Sequence, residues 1–316
     1  MNRCTFLAFG DLHHYPGVFY PDKEERWEKI LARSIEENAD FIVGLGDYVH
    51  EPAVNGAFAE RMLASTKDLI LCLGNHDTEH APMEEVLPLY GMPHNYYFVD
   101  RGGYRFILLD ANYTINDGEY VHYNPGVENR TKRGVIPPDQ LAWLEQTIAA
   151  SSTPCVLLSH HSIERPDGML NKDRVWEIIN RANQYRPHAV VLYINGHYHR
   201  DYCTIVNGVC CLELNSASYQ WVNPPFGGYP AEVLAHGRAM AYTLNFSQPL
   251  SALITLEGAT RITIRGVTGE YMFGLTAADV ESVDGQHRLS YARRSVPFIR
   301  DYTVDLDCGT VTRSRE

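Results

Sequence analysis

Cys4-Thr5-Phe6-Leu7-Ala8-Phe9-Gly10-Asp11-Leu12-His13 is the stretch on which the reading turns. An apolar run stops at a glycine, and a carboxylate and an imidazole follow two residues apart. The same grammar recurs along the chain. Phe41–Leu45 runs into Gly46-Asp47, and Leu69–Leu73 into Gly74-Asn75-His76-Asp77. Cys155–Leu158 runs into Ser159-His160-His161, and Ala189–Ile194 into Gly196-His197-Tyr198-His199. Phe106–Leu109 and Val209–Leu214 are further runs of the same kind. Runs of roughly four to eight residues, bounded by glycine or polar residues, suit strands buried on both faces. Helical spacing lies between them, at Trp27, Ile30, Leu31 and Ile35 in 24–38, at Leu141, Leu144 and Ile148 behind Pro137-Pro138, and at Val175, Ile178, Ile179 and Ala182 in 173–185. Strands alternating with helices predict an α/β fold, with helices outside layered sheets.

Sites in open α/β sheets form at the carboxyl ends of strands, so the polar residues that end these runs should meet in one crevice. Asp11 and His13, like His197 and His199, are two apart, which in an extended segment puts both side chains on one side. Carboxylate, imidazole and amide oxygen together exceed what one tetrahedral zinc takes, and suit two hard-to-borderline cations sharing a carboxylate. Two-metal sites clamp the attacking and leaving oxygens of phosphoryl transfer and activate water near neutral pH.

These blocks, D-x-H, G-D, G-N-H-D, a His after an apolar strand and G-H-x-H, resemble in that order the calcineurin-like metallophosphoesterase family, over residues 4 to about 217. The resemblance implies a four-layer αββα sandwich of two mixed sheets flanked by helices. It implies one metal at Asp11, His13, Asp47 and His199, and a second at Asp47, Asn75, His160 and His197, with Asp47 bridging. His76 would contact the substrate phosphate and leaving oxygen, and Asp77 would orient it. The ions would be Mn, Fe, Zn or Co, all of which accept this donor set. Protein phosphatases of the family carry G-D-x-V-D-R-G and G-N-H-E, whereas here Gly46-Asp47-Tyr48-Val49-His50-Glu51 lacks the arginine. Pro138-Asp139-Gln140-Leu141-Ala142-Trp143-Leu144 resembles the helix start of the small-molecule phosphodiesterase and diphosphatase branch. The expected activity is hydrolysis of a small phosphodiester, cyclic nucleotide or nucleotide-type diphosphate. A phosphomonoesterase with the same site is the nearest alternative, and a non-catalytic scaffold on the same fold is the alternative of another class.

Composition opposes long polyanions but leaves room for a small phosphorylated substrate, because bound cations can invert the local field. The 316 residues carry 27 Lys and Arg against 39 Asp and Glu, a net charge of −12. That sign opposes a nucleic-acid polymer. No apolar run reaches the roughly 18–20 residues of a membrane span, and the first run is too short for a secretory signal. Seven cysteines without C-x-x-C spacing fit a reduced, cytoplasmic compartment; Cys210 and Cys211 are expected to pack in a strand. His160 follows its strand directly and takes the ligand place, leaving His161 and His14 as substrate-side candidates. His50, His80, His94, His122, His188, His236 and His287 carry no spacing argument and are expected at the surface. Ala111–Val135 lacks clear periodicity and reads as a long loop, with Asn112, Arg130 and Arg133 as candidate substrate contacts; a solvated excursion is the alternative. Residues 222–240 read as a second long loop. Met240–Asn245 and Ser251–Glu257 read as an antiparallel pair, followed by Thr260–Arg265. The expected organisation is a metallophosphoesterase domain over 1–266 with a C-terminal extension, 267–316, packed on it.

Overall fold

The computed structural model describes residues 2–66, 68–127, 133–223, 225–284 and 296–313. Arg130 and His287, named above, lie outside the described residues. In chain order the strands and helices that build the layers are β1 (Arg3–Phe9), α1 (Lys23–Glu36), β2 (Phe41–Gly44), α2 (Pro52–Ser65), β3 (Leu69–Leu71), α3 (Asn75–Thr78), α4 (Met83–Leu89), β4 (Tyr97–Arg101), β5 (Tyr104–Leu109), β6 (Tyr113–Asn116), β7 (Glu119–His122), α5 (Pro138–Ala149), β8 (Cys155–Ser159), α6 (Lys172–Tyr185), β9 (Val190–Asn195), β10 (Tyr202–Val206) and β11 (Val209–Glu213). The C-terminal third adds β12 (Tyr219–Trp221), α7 (Ala231–Leu234), β13 (Thr243–Asn245), β14 (Ala252–Glu257), β15 (Arg261–Arg265), β16 (Val267–Thr268), α8 (Ala277–Asp284), β17 (Phe298–Ile299), β18 (Tyr302–Asp305) and β19 (Thr310–Arg313). One sheet runs β19-β18-β15-β14-β1-β2-β3 and the other β10-β11-β9-β8-β5-β4. Both are mixed: the first is parallel only at its β1-β2-β3 end and antiparallel from β14 to β19, and the second has a parallel centre, β11-β9-β8-β5, between antiparallel edges.

Alternation along β1 separates two interiors. Cys4, Phe6 and Ala8 face the second sheet, among Phe41, Phe106, Leu108, Val156 and Leu158. Phe6 stacks on Phe41 with centroids 5.4 Å apart, and Phe106 meets both edge-on at 5.2 and 5.1 Å. Leu7 and Phe9 face the other way, onto Trp27 and Ile30 of α1 and Phe58 and Met62 of α2. The outer face of the second sheet, through Ile107 and Leu157, packs on Leu144 and Ile148 of α5 and Val175 and Ile179 of α6. The result is helix, sheet, sheet, helix. This is why the central runs read as continuously apolar: each has a hydrophobic layer on both sides.

Three expectations change. Ser251–Glu257 does not pair with Met240–Asn245. It lies beside β1, with Cys4 opposite Leu256, because the backbone N–H and C=O groups of a buried strand need partners at both edges and β2 fills only one. Met240–Tyr242 is a 3-10 turn, and β13 pairs with β12. The long loop at 111–135 contains the hairpin β6–β7, turned by Asp117 (φ 51°) and Gly118 (φ 89°), the Asp-Gly pair that a tight hairpin with two positive φ values favours. Past residue 266, β18 and β19 extend the first sheet, burying Tyr302 and Val304 against the inter-sheet core. Among the described residues no helix is long and apolar enough to cross a membrane.

Candidate metal centre

The loops after β1, β2, β3, β8 and β9 meet above the parallel parts of both sheets. Asp11, His13, Asp47, Asn75, His160 and His199 are all buried, and His197 is partly so. Two groups of acceptors form. In one, His199 Nε2 lies 3.2 Å from His13 Nε2 and 3.2 Å from Asp11 Oδ1, with Asp47 Oδ2 3.8 Å from His13 Nε2. In the other, His160 Nε2 lies 3.1 Å from Asp47 Oδ2 and 3.1 Å from His197 Nδ1. Asp47 Oδ2 lies between the two. Six of the seven ligands implied by the resemblance, Asp11, His13, Asp47, His160, His197 and His199, gather in these groups, while His13, His50 and His76 form a third; Asn75 has its Nδ2 on Glu79.

Backbone partners aim these groups. His160 Nδ1 donates to Leu45 O at 2.7 Å and His199 Nδ1 to Tyr219 O at 2.6 Å, which leaves the Nε2 lone pair of each facing the cluster. Asp11 accepts from His197 N at 3.1 Å, and Asp47 Oδ1 from His76 N at 2.9 Å. Ser216 Oγ and Ser218 Oγ donate to the carbonyls of Asp11 and Leu12, each at 2.8 Å, so the strand end at 215–218 braces the first block. Asn215 turns away, with Nδ2 on Val296 O and Phe298 O. Gly74 has no room for a side chain: a Cβ there would sit 2.1 Å from Asp47 Oδ1.

The donor set fits cations. Imidazole lone pairs and carboxylate oxygens converge within hydrogen-bond distance of one another with too few protons to share, and the buried Asn75 Oδ1 has no hydrogen-bond partner among the described residues. Electrostatics agree. Burial favours the neutral form, but His160, His76 and His13 hold the Asp47 carboxyl well below the carboxylate range. Burial, reinforced by His161 and His160, holds His197 well below the usual histidine value. Burial outweighs Asp47 at His13, which is also held low. At His160 the balance reverses: Asp47 overcomes burial and pushes it up to about 9.

His76 opens α3 beside this cluster. Its Nδ1 lies 2.7 Å from Glu79 Oε2, three residues on and on the same helical face. Burial lowers its pKa, but Asp47 and Glu79 prevail and raise it to about 9. The orienting carboxylate expected at Asp77 is therefore Glu79. Asp77 points the other way: it accepts from Gly74 N and Asp47 N at 2.8 Å, Tyr48 N at 2.9 Å, Val49 N at 3.3 Å and Tyr90 Oη at 2.8 Å. It pins the loop that carries Asp47. Glu79 is three residues from His76, the spacing that puts two side chains on one helical face, whereas Asp77 is its immediate neighbour.

The remaining candidates divide. His161 is buried, lies 4.4 Å from the His197 ring, and has no partner for Nδ1. Asn112 is buried at the foot of the β6–β7 hairpin, where Nδ2 holds Leu73 O and Asp110 and Oδ1 has no partner. Arg133 gives Nε to Gly168 O at 2.7 Å and Nη2 to Pro166 O and Met169 O, tying the far end of the 111–135 segment to the loop after β8. His14 stacks on Phe58 of α2, 4.4 Å away, outside the cluster. Two histidines expected at the surface are not there. His122 sits 2.8 Å from Asp110, and His50, 4% exposed, lies 2.8 Å from His13 Nδ1. Both gain their surroundings from pairing remote in sequence, which spacing alone does not carry.

Comparison with known proteins follows this geometry. The sequence profile described as calcineurin-like phosphoesterase matches residues 4–201. No curated protein matches the sequence. Among solved structures, a dimetal phosphatase from Danio rerio is 15% identical, with TM-score 0.53 over 85% of this chain and 98% of its own. PhoD is 9% identical, with TM-score 0.56 over 100% of this chain and 72% of its own. GAP50, the anchor in the inner membrane complex of Plasmodium, is 15% identical, with TM-score 0.52 over 86% and 88%. At these identities the structures share the fold.

Proposed function

Since the chain belongs to the calcineurin-like phosphoesterase family, and is a metal-dependent phosphoric ester hydrolase, we propose that it cleaves a small phosphodiester, cyclic nucleotide or nucleotide-type diphosphate at a two-ion centre. One ion is held by Asp11, His13, Asp47 and His199, the other by Asp47, Asn75, His160 and His197. The observation that carries this reading is the gathering of Asp11, His13 and His199, and of Asp47, His160 and His197, in two adjacent groups with Asp47 Oδ2 between them. Bound there, the ions supply activated water and neutralise charge at phosphorus.

The chain's own residues do the rest. Asp77 and the Leu45 and Tyr219 carbonyls hold the acceptors in place. Glu79 takes Nδ1 of His76, so Nε2 is the nitrogen left to give a proton to the leaving oxygen. His76 is protonated at neutral pH in the ion-free chain; cations at Asp47 would cancel part of that charge and bring it closer to neutrality, where an acid works best. His161 and Asn112, buried beside the cluster with an unpartnered atom each, are the polar contacts for substrate. Half-buried Tyr15 and Trp221, packed on the buried Phe19 beside His13, are the rings that could stack a base. The missing phosphatase arginine and the net charge of −12 disfavour phosphoproteins and polyanions.

We read 1–266 as the metallophosphoesterase domain and 267–316 as an extension packed on the same domain, a division supported by the way β18 and β19 join the first sheet. A cytoplasmic location is supported by free cysteines, six of them buried. The test is an assay of metal-reconstituted protein against aryl and alkyl monoesters, diesters, cyclic nucleotides, nucleotide diphosphate esters and phosphopeptides. The reading expects kcat/KM to be highest for a nucleotide-type diester or diphosphate. Monoesters or phosphopeptides turned over more efficiently would refute the substrate class.

A further inference from the structure

Beyond the ends of β1 and β2 the two segments stay side by side. Asp11 N donates to Gly46 O at 3.0 Å, His13 N to Asp47 O at 2.9 Å, His14 N to Tyr48 O at 2.8 Å and His50 N to His14 O at 3.1 Å. Asn55 Nδ2 holds the His50 carbonyl at 2.7 Å, and left-handed Glu51 (φ 48°) then turns the chain into α2. This ladder delivers His50 to His13. The His50 ring is fixed as well as buried. It stacks on His76 with centroids 4.3 Å and planes 28° apart, and Tyr15 stacks against it at 5.1 Å.

The contact that matters is His13 Nδ1 to His50 Nε2, 2.8 Å. His13 turns its other nitrogen, Nε2, toward Asp11, Asp47 and His199. A neutral imidazole that offers a lone pair at Nε2 keeps its proton on Nδ1, and that proton needs an acceptor. For His160 and His199 the acceptor is a backbone carbonyl. For His13 the group in place is another imidazole.

We propose that His50 is a positioning residue for the metal centre: its Nε2 accepts the His13 Nδ1 proton, and so fixes the tautomer and ring plane in which His13 presents Nε2 to an ion. His50 must then carry its own proton on Nδ1. The inference rests on the two-ion reading above, and the experiment separates the two.

Zinc is titrated by calorimetry into the metal-free full chain as wild type, His50→Gln and His50→Leu. Gln keeps an acceptor at the reach of Nε2, whereas Leu keeps bulk and removes it. The wild type takes up two ions, His50→Gln binds both within about threefold of it, and His50→Leu loses about 10- to 100-fold in affinity at one of the two sites, the usual cost of removing a partner behind a ligand histidine. A wild type that binds fewer than two ions refutes the two-ion reading. A wild type that binds two, with His50→Leu unchanged, refutes the role of His50 alone. His50→Gln as weak as His50→Leu also overturns it, since the acceptor would then not be what counts. If His50→Leu does not fold, imidazole nitrogen–proton correlation spectra of the zinc-loaded wild type decide. His13 protonated on Nδ1 and His50 on Nδ1 are expected; His13 bound to zinc through Nδ1, or His50 protonated on Nε2, overturns the proposal.

Discussion

Asp77→Asn separates two roles for the carboxylate of the Asn75-His76-Asp77 turn. Oδ1 of Asp77 accepts from Tyr48 N, Val49 N and Tyr90 Oη, and Oδ2 from Gly74 N and Asp47 N. Whichever way an asparagine amide is flipped, its NH2 faces at least two donors at about 2.8–2.9 Å. Hydrogen bonds to a charged group contribute about 1.5–3 kcal/mol each, so losing two costs about 3–6 kcal/mol. At about 2 °C per kcal/mol for a chain of this size, the metal-free protein should melt roughly 6–12 °C lower. The loop released is the one in which Asp47 is held at φ 59°, so ion binding should weaken with it. Thermal melting with and without metal, together with elemental analysis, measures both effects. An Asp77→Asn protein that melts within about 2 °C of wild type, keeps two ions and loses only turnover would show that the carboxylate serves His76 after all.

Asp47→Ala removes the carboxylate that lies between the two acceptor groups, 3.1 Å from His160 and 3.8 Å from His13, and should leave less than one tightly held ion per chain by elemental analysis. His76→Ala should keep its ions and lose about 10²–10⁴-fold in kcat for alkyl leaving groups, with a smaller loss for an activated aryl ester; an equal loss for both would point to charge stabilisation rather than proton donation. His122→Gln tests the ion pair at the base of the β6–β7 hairpin. Burial lowers His122, but Asp110 raises it above its usual value; burial raises Asp110, but His122 and Asn95 hold it below the usual carboxylate range. The His122 contribution is therefore complete below about pH 6.5 and fades as pH rises through its raised value, while that of Asp110 is complete above about pH 3.9 and is lost as pH falls. Denaturant unfolding should show the largest wild-type advantage, about 1–3 kcal/mol, between about pH 4 and 6.5; an advantage that grows toward alkaline pH would contradict the pairing.

What the sequence disclosed follows burial. β1, β2, β5, β8, β9 and β11 lie between two apolar layers and advertise themselves as unbroken runs. β4, β18 and β19 lie at or beside an edge, where exposed Phe98, Thr303 and Thr312 interrupt the pattern. α2 carries buried Phe58 and Met62 beside exposed Val54, so its amphipathic stripe is blurred. The hairpin in 111–135 had a local signal, Asp117-Gly118, hidden by the apparent lack of periodicity around it. His50 had none. It lies thirty-seven residues from His13, and only the register of two parallel segments brings them together. His76 and Glu79 show the reverse case, a contact made within one helical turn and therefore legible from spacing.

The pairs Asp11/His13 and His197/His199 also show that a correct grouping can arise by a different route. In extended backbone, residues two apart point to one side because of the pleat. Here Asp11, His13, His197 and His199 have φ of 56°, 54°, 70° and 50°, and Asp47 has 59°. These are left-handed conformations that cost a residue with a Cβ of order 1 kcal/mol or more each. The strands end and the chain coils so that alternate side chains fall inward, while His14 is carried outward against Phe58. Such a backbone persists only where other bonds hold it. The structure supplies them at each point: Gly46 O and Ser216 for Asp11, Asp47 O for His13 N, Asp77 for Asp47 N, and Asp11 itself for His197 N. The ties run between blocks rather than within them, so each strained turn is stabilised by the next. Loss of one carboxylate should therefore be felt across the cluster, which is why Asp77, far from the chemistry in function, is among its most consequential residues.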